Sequence, residues 1–253
     1  FTNVHITNLH GFMGADAIGA VNSLVITVLL MIIIINAVNL IDGIDGLAAS
    51  VGIIASLAFG IFFYMSGDYG YTVMAAALLG ALIAFLRYNL SEGPNKIFMG
   101  DSGSLVIGFT LAVFAIHFNE LVANGNPVLS LKSAPSIAIA ILIVPLYDTL
   151  RVMVLRLWAR KSIFVGDKRH IHHLMLRAGM SHKKATLFIS IFNVFVIILA
   201  FILDGLGIIL IGLVLLALCL VTTQILMITV KKRESAESSI IKVPRVTEVT
   251  KVS

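Results

Sequence analysis

The chain has 253 residues, of which 59% are hydrophobic and only 12% charged, with a formal net charge of +5 and a mean hydropathy of +1.04. A water-soluble domain carries about 25% charged residues, so this composition excludes an ordinary soluble enzyme and makes the bilayer the natural solvent. The lone cysteine, Cys219, excludes a disulfide framework.

The opening residues from Phe1 do not read as a signal peptide, and a start without methionine reads as a processed or truncated chain. A helix needs about 20 apolar residues to cross roughly 30 Å of hydrocarbon. The first such segment is predicted at about 20–38. At its end lies Asn36-Ala37-Val38-Asn39-Leu40-Ile41-Asp42-Gly43-Ile44-Asp45-Gly46-Leu47. Asn39 and Asp42 are three apart, neighbours on one helix face, and Gly43 and Gly46 break the helix. Two carboxylates and two amides supply oxygen ligands for a hard cation such as Mg²⁺; the bland alternative is a polar helix cap at the interface.

Spans at 47–66 and 71–88 follow, then a polar stretch holding Asn89, Pro94-Asn95-Lys96 and Phe98-Met99-Gly100-Asp101-Ser102-Gly103-Ser104. Small residues around Asp101 let backbone amides approach a phosphate near the start of the next helix. Gly-Asp-Ser-Gly also surrounds serine-protease nucleophiles, but nothing else in the chain resembles such a protease. The fourth span, 104–118, reads as short and therefore broken or tilted. The fifth, 135–155, carries Pro145-Leu146-Tyr147-Asp148-Thr149-Leu150-Arg151 at its inner end. There Asp148 is either an internal ion pair with Arg151, three residues on, or a contact of the site.

The loop after it contains Arg160, Lys161 and Lys168-Arg169-His170-Ile171-His172-His173. Without a His-Glu-x-x-His pattern or a supporting cysteine, the histidines fit a polyanion site beside these cations better than a zinc site. Spans at 186–204 and 206–230 meet at Asp204-Gly205. His117 reads as a satisfied interfacial histidine. The tail 231–253 has mixed charge and no apolar period, and is expected to be disordered.

The expected fold is thus an all-α, polytopic transmembrane bundle of seven spans over 1–230. Alternation places every Lys and Arg except Lys132 in the loops at one end, out of 18 in the chain. The positive-inside rule makes that end cytoplasmic, with the N-terminus outside and the C-terminus inside. Carboxylates, amides, a phosphate-friendly turn and a basic clamp share this face, which is the equipment of Mg²⁺-assisted phosphoryl transfer. No Gly-x-x-x-x-Gly-Lys-[Ser/Thr] loop marks ATP as the donor. A secondary transporter using these carboxylates is the competing class; it would place them near the midplane, in repeated halves.

The run Asn-x-x-Asn-x-x-Asp-Gly-x-Asp-Gly-Leu, then Phe-Met-Gly-Asp-x-Gly-Ser, then His-Ile-His-His resembles the polyprenyl-phosphate N-acetylhexosamine-1-phosphate transferases, over residues 36 to 173. The His-Ile-His-His form is similar to the branch using UDP-GlcNAc-type donors, which initiates O-antigen, common-antigen and teichoic-acid linkage synthesis. It is less similar to the phospho-MurNAc-pentapeptide branch, which favours three histidines in a row. The resemblance implies attack of undecaprenyl phosphate on the sugar-linked phosphate of a UDP-N-acetylhexosamine, with release of UMP, at the cytoplasmic membrane of a bacterium. It implies Mg²⁺ as cofactor, with Mn²⁺ as a substitute, held by Asp101 and Asn39. Asp42 and Asp45 would line the nucleotide site and share the catalytic role with Asp101. Phe98 would stack on uracil with Asn89 and Lys96 nearby, and Arg169, His170, His172 and His173 would hold the sugar-phosphate end. Membrane lipids are expected partners, a homodimer is compatible with the bundle, and nucleic acid is not expected. The family also carries an upstream Asp-Asp pair and further helices. This chain has no adjacent acidic pair, so it reads as the C-terminal portion of such a protein, and these 253 residues alone are expected to turn over little or not at all. A catalytically dead scaffold is the reading that this absence would favour.

Overall fold

A computed structural model of the protein describes residues 4–12, 15–126, 130–162 and 169–241. A small antiparallel hairpin, β1 (Asn8–Phe12) and β2 (Ala15–Ala17), precedes α1 (Ala20–Ile41), α2 (Leu47–Met65), α3 (Tyr69–Asn89) and α4 (Gly100–Ala123). Then come α5 (Ala134–Ile141), α6 (Ile143–Trp158), a short α7 (Ile171–Arg177), α8 (His182–Ile202) and α9 (Ile208–Ile241). Among the described residues six helices are long and apolar enough to cross a membrane, and seven spans result when α5 and α6 count as one. This is a multi-pass, all-α membrane protein.

The broken span is the fifth, not the fourth. The bend between α5 and α6 is 82°, and its cause is Pro145. Proline has no N–H to give the carbonyl of Ile141, four residues back, and its ring crowds that carbonyl. The freed Ile141 oxygen accepts instead from the buried Asn193 Nδ2 at 3.3 Å, the kind of replacement partner a broken helix needs in hydrocarbon.

The fourth span is a continuous helix of 24 residues, longer than hydropathy suggested because polar groups at its far end are paired. Glu120, 8% exposed, accepts the backbone N–H of Thr7 at 2.7 Å and the Thr7 hydroxyl at 2.6 Å. That contact also pins the N-terminal hairpin, which no periodicity announced. His117 is satisfied as expected: it faces Asp68 at 2.7 Å and stacks on Tyr71 at 3.6 Å.

Helix α4 lies at the centre of the bundle, with Leu111, Phe114 and Phe118 fully buried. Phe59 and Phe63 of α2 pack on it, with ring centroids 5.7 Å (Phe59–Phe118) and 5.4 Å (Phe63–Phe114) apart. Against α1 the approach is backbone to backbone. A Cβ at Gly108 would lie 2.8 Å from the Ile35 Cα, so only glycine permits this crossing, the usual role of small residues between membrane helices. The crossing brings the end of α1, with Asp42, beside the start of α4, with Asp101.

The first part of the tail expected to be irregular from 231 is helical. Helix α9 continues to Ile241, and Arg177 of α7 bonds Glu234 at 2.7 Å; residues 242–253 lie outside the described part, as does Lys168.

Candidate active site

At the basic end, α1 stops at Ile41 and Asp42 caps it, its N–H bonding the Asn39 carbonyl at 3.2 Å. The chain turns through Gly43–Asp45 and re-enters helix at Gly46, whose φ of +79° belongs to the left-handed region open to glycine. Two side chains from elsewhere hold this carboxylate loop. Buried Asn89 accepts the Gly46 N–H at 2.6 Å and donates to the Ile97 carbonyl at 2.8 Å, tying the loop to the 90–99 segment. Thr186 of α8 donates its hydroxyl to the Asp45 carbonyl at 2.8 Å. Asn89 is therefore a buried brace between two site loops.

Asp45 ion-pairs with Lys96 at 2.7 Å, and His182 Nδ1 stands 3.4 Å from the same oxygen. The Lys96 ammonium also lies 5.3 Å from the centre of the Phe98 ring. Phe98 is 76% exposed, an unusual position for a phenylalanine on a polar face. Asp101 is exposed in the first turn of α4. Burial, and then the charges of Asp101 and Asp45, push the Asp42 carboxyl up to about 6. Asn39, half-buried one turn before Asp42, completes the acidic corner.

The histidine motif starts α7 and is more buried than its basic surroundings suggested. His170 is buried, with Nδ1 3.0 Å from Asp148 Oδ2. His172 is 2% exposed and its Nδ1 has no hydrogen-bond partner among the described residues. Its ring stacks with His170 at 5.6 Å and meets His173 at 4.3 Å. Burial first, then the neighbouring His173 charge, pushes the His172 imidazole down to about 4, so it is neutral at pH 7. The opposite edge of that ring lies on Gly43, joining α7 to the carboxylate loop. Half-buried Arg169 and His173 stand at the rim. The Asp148–Arg151 pair is present but long, 3.8 Å; the closer partners of Asp148 are in α7.

A cavity of about 390 Å³ adjoins this junction, lined by Ile41, Leu47, Tyr147, Met175, Phe192 and Leu226, with Asp148 and His172 supplying a polar end. Sequence reasoning passed over His182, which only the approach of α8 to Asp45 makes visible. Among the described residues no cluster of three or more His, Cys, Asp and Glu side chains is close enough to enclose a metal ion. The oxygen donors at this corner are the Asp42 and Asp101 carboxylates, near enough for their charges to interact, and the Asn39 amide one turn before Asp42; oxygen donors of this kind suit Mg²⁺ where substrate phosphates and water complete its shell.

Comparison with known proteins bears on this geometry. Residues 1–119 match the family described as Glycosyl transferase family 4. Over 191 residues the chain is 33% identical to a decaprenyl-phosphate N-acetylglucosaminephosphotransferase of Mycolicibacterium smegmatis and 36% identical to its namesake from Mycobacterium tuberculosis, in each case covering 71% of this chain and 47% of the relative. It is 31% identical over 147 residues to the undecaprenyl-phosphate alpha-N-acetylglucosaminyl 1-phosphate transferase of Escherichia coli K12, covering 57% of this chain and 38% of that protein. Over these stretches the chain is similar to polyprenyl-phosphate N-acetylglucosamine-1-phosphate transferases, in agreement with the resemblance of its motifs. It spans about half the length, or less, of these curated relatives.

Proposed function

We propose that this site takes part in transfer of N-acetylglucosamine-1-phosphate from UDP-GlcNAc to a polyprenyl phosphate, undecaprenyl phosphate by preference, on the cytoplasmic side of a bacterial inner membrane. The observation that carries the reading is the acidic corner. Half-buried Asp42 is held where desolvation, and then the Asp101 and Asp45 charges, raise its pKa, beside an exposed aromatic ring and next to an apolar cavity. A carboxylate held at a cost to its own ionisation beside two others is suited to a cation and a diphosphate.

In the transfer, an oxygen of the lipid phosphate bonds to the sugar-linked phosphorus of the donor. The bond from that phosphorus to the bridging oxygen breaks, and UMP leaves with the electron pair. A bound divalent cation, Mg²⁺ or Mn²⁺, supplies charge neutralisation at the diphosphate. Asp42, Asp101 and Asn39 are the groups that would hold it. Asp45 is committed to Lys96 and orients that ammonium along the Phe98 ring, where uracil would stack. Arg169 and His173 at the rim suit the sugar-phosphate end. His170 and His172 are both buried and serve from beneath it, and the neutral His172 imidazole is no anion clamp. The cavity suits the first isoprene units of the lipid, whose phosphate would reach its polar mouth.

The test is transfer by the complete gene product with UDP-GlcNAc, UDP-GalNAc and undecaprenyl phosphate. Lipid-dependent release of UMP from UDP-GlcNAc, abolished in Asp101→Asn with folding intact, is expected. Substantial transfer by Asp101→Asn would remove it from the cation site, and flux of a solute across sealed vesicles without UMP release would favour a transporter.

A further inference from the structure

We propose that Asp148 is a positioning residue of this transfer site: from within the bundle it fixes the start of α7, and through α7 it seats the His172 ring against the carboxylate loop at Gly43. The inference rests on the functional reading above and assigns a part to a residue outside the acidic corner.

Asp148 is 2% exposed, and a buried carboxylate is costly unless its oxygens are satisfied. Both are directed at the histidine motif. Oδ1 accepts the Ile171 backbone N–H at 2.9 Å, and Oδ2 faces His170 Nδ1 at 3.0 Å. Facing a carboxylate, Nδ1 is the nitrogen that donates. One helical turn on, Arg151 donates through a terminal guanidinium nitrogen to the Arg169 carbonyl at 2.7 Å. Three consecutive residues, 169 to 171, are thus each held by α6.

A pair serving only to neutralise itself within α6 would close to hydrogen-bond distance. Arg151 and Asp148 stay 3.8 Å apart, beyond that range, and both reach across to α7. From there the contact is passed on. The His170 and His172 rings are stacked within 5° of parallel, and His172 lies on Gly43, the residue after Asp42. A shift at the start of α7 would therefore move the floor under the acidic corner. It would leave the Phe98 and Lys96 side, where the nucleotide is expected, in place. Misplacing reacting groups by about 1 Å costs on the order of 100-fold in rate.

The test uses Asp148→Asn, which keeps shape but sets an NH₂ group against the His170 N–H or gives up the Ile171 bond. Three readouts are taken: turnover of the complete gene product, UDP affinity, and hydrogen exchange of peptides covering 169–177 and α1–α4. The expected result is a kcat lower by roughly 100-fold, UDP affinity that falls far less than turnover, and faster exchange confined to 169–177. Unchanged turnover with 169–177 still protected would overturn the proposal. So would faster exchange throughout α1–α4 with UDP binding lost, since that is the signature of a merely structural residue. Should the asparagine variant not fold, Arg151→Gln removes the bond to Arg169 and is held to the same three readouts. Failure of the underlying functional reading looks different: the unaltered protein then binds no UDP and releases no UMP.

Discussion

Replacing Gly43 by alanine places one methyl group where the His172 ring lies. With the backbone unchanged, that carbon would meet His172 Nε2 first, with Cε1 at 2.8 Å and Cδ2 at 3.2 Å. Real Cβ contacts do not come so close, so the ring or the loop must shift. Gly43 is not among the residues with positive φ, so alanine adds no backbone strain and the effect is steric. The ring has little room to retreat, being 2% exposed and flanked by His170 and His173. Overpacking of this sort costs about 1–3 kcal/mol. The assay is reversible unfolding in mixed micelles for the unaltered protein, Gly43→Ala, His172→Ala and the double variant. Removing the imidazole should remove the clash, so the alanine penalty should fall within about 0.5 kcal/mol of zero in the His172→Ala background. A neutral Gly43→Ala, or the same penalty in both backgrounds, would refute the claim that α7 and the carboxylate loop are joined at this contact.

Three further outcomes follow from the site. Phe98→Ala should leave stability unchanged, because the ring is already exposed, yet weaken UDP binding by about 1–3 kcal/mol, the worth of one base stacked on an aromatic ring; unchanged affinity by calorimetry would count against stacking. Asn89→Leu leaves the Gly46 N–H and Ile97 carbonyl without their partner, each costing about 1–3 kcal/mol. Unfolding should show that loss, and UDP affinity should fall with it as the 90–99 segment loosens. For pH, the His172 imidazole is held near 4 in the folded chain against an ordinary value of 6.5. Between those values the unfolded chain binds a proton that the folded chain does not, so stability is full above 6.5 and is lost as pH falls towards 4. The change in unfolding free energy between pH 7 and 5 should shrink in His172→Gln, and an identical pH dependence would contradict the burial argument.

Much of this was legible in the chain because bilayer and charge write simple patterns. Helices α1, α2, α3, α8 and the apolar part of α9 follow from apolar runs. Other features depend on partners that a window of sequence does not hold. The length of α4 was hidden because Glu120 counts as polar until Thr7 is seen to pair with it. The bend belongs to Pro145, whose consequence for Ile141 could have been read from the missing N–H, while its accommodation by Asn193 could not. Around the carboxylate loop, Asp45 meets Lys96, Lys96 lies near the Phe98 ring, and Asp42 feels the charges of Asp101 and Asp45. The histidines did not declare which of them is buried, because the spacing in His170-Ile171-His172-His173 is the same whether α7 faces water or packs on Gly43. Asp148 was ambiguous for the same reason: its i,i+3 neighbour Arg151 offered a sufficient local partner, and the closer ones lie more than twenty residues away.

The central claim is that the acidic corner and Phe98 form a cation-dependent site for a uridine diphosphate sugar. The most direct measurement is equilibrium binding of UDP-GlcNAc to these 253 residues in detergent, with and without Mg²⁺, for the unaltered chain and Asp101→Asn. Binding is expected to require Mg²⁺ and to be lost when Asp101 is changed. Binding indifferent to both Mg²⁺ and Asp101, or none at all to the folded chain, would contradict it.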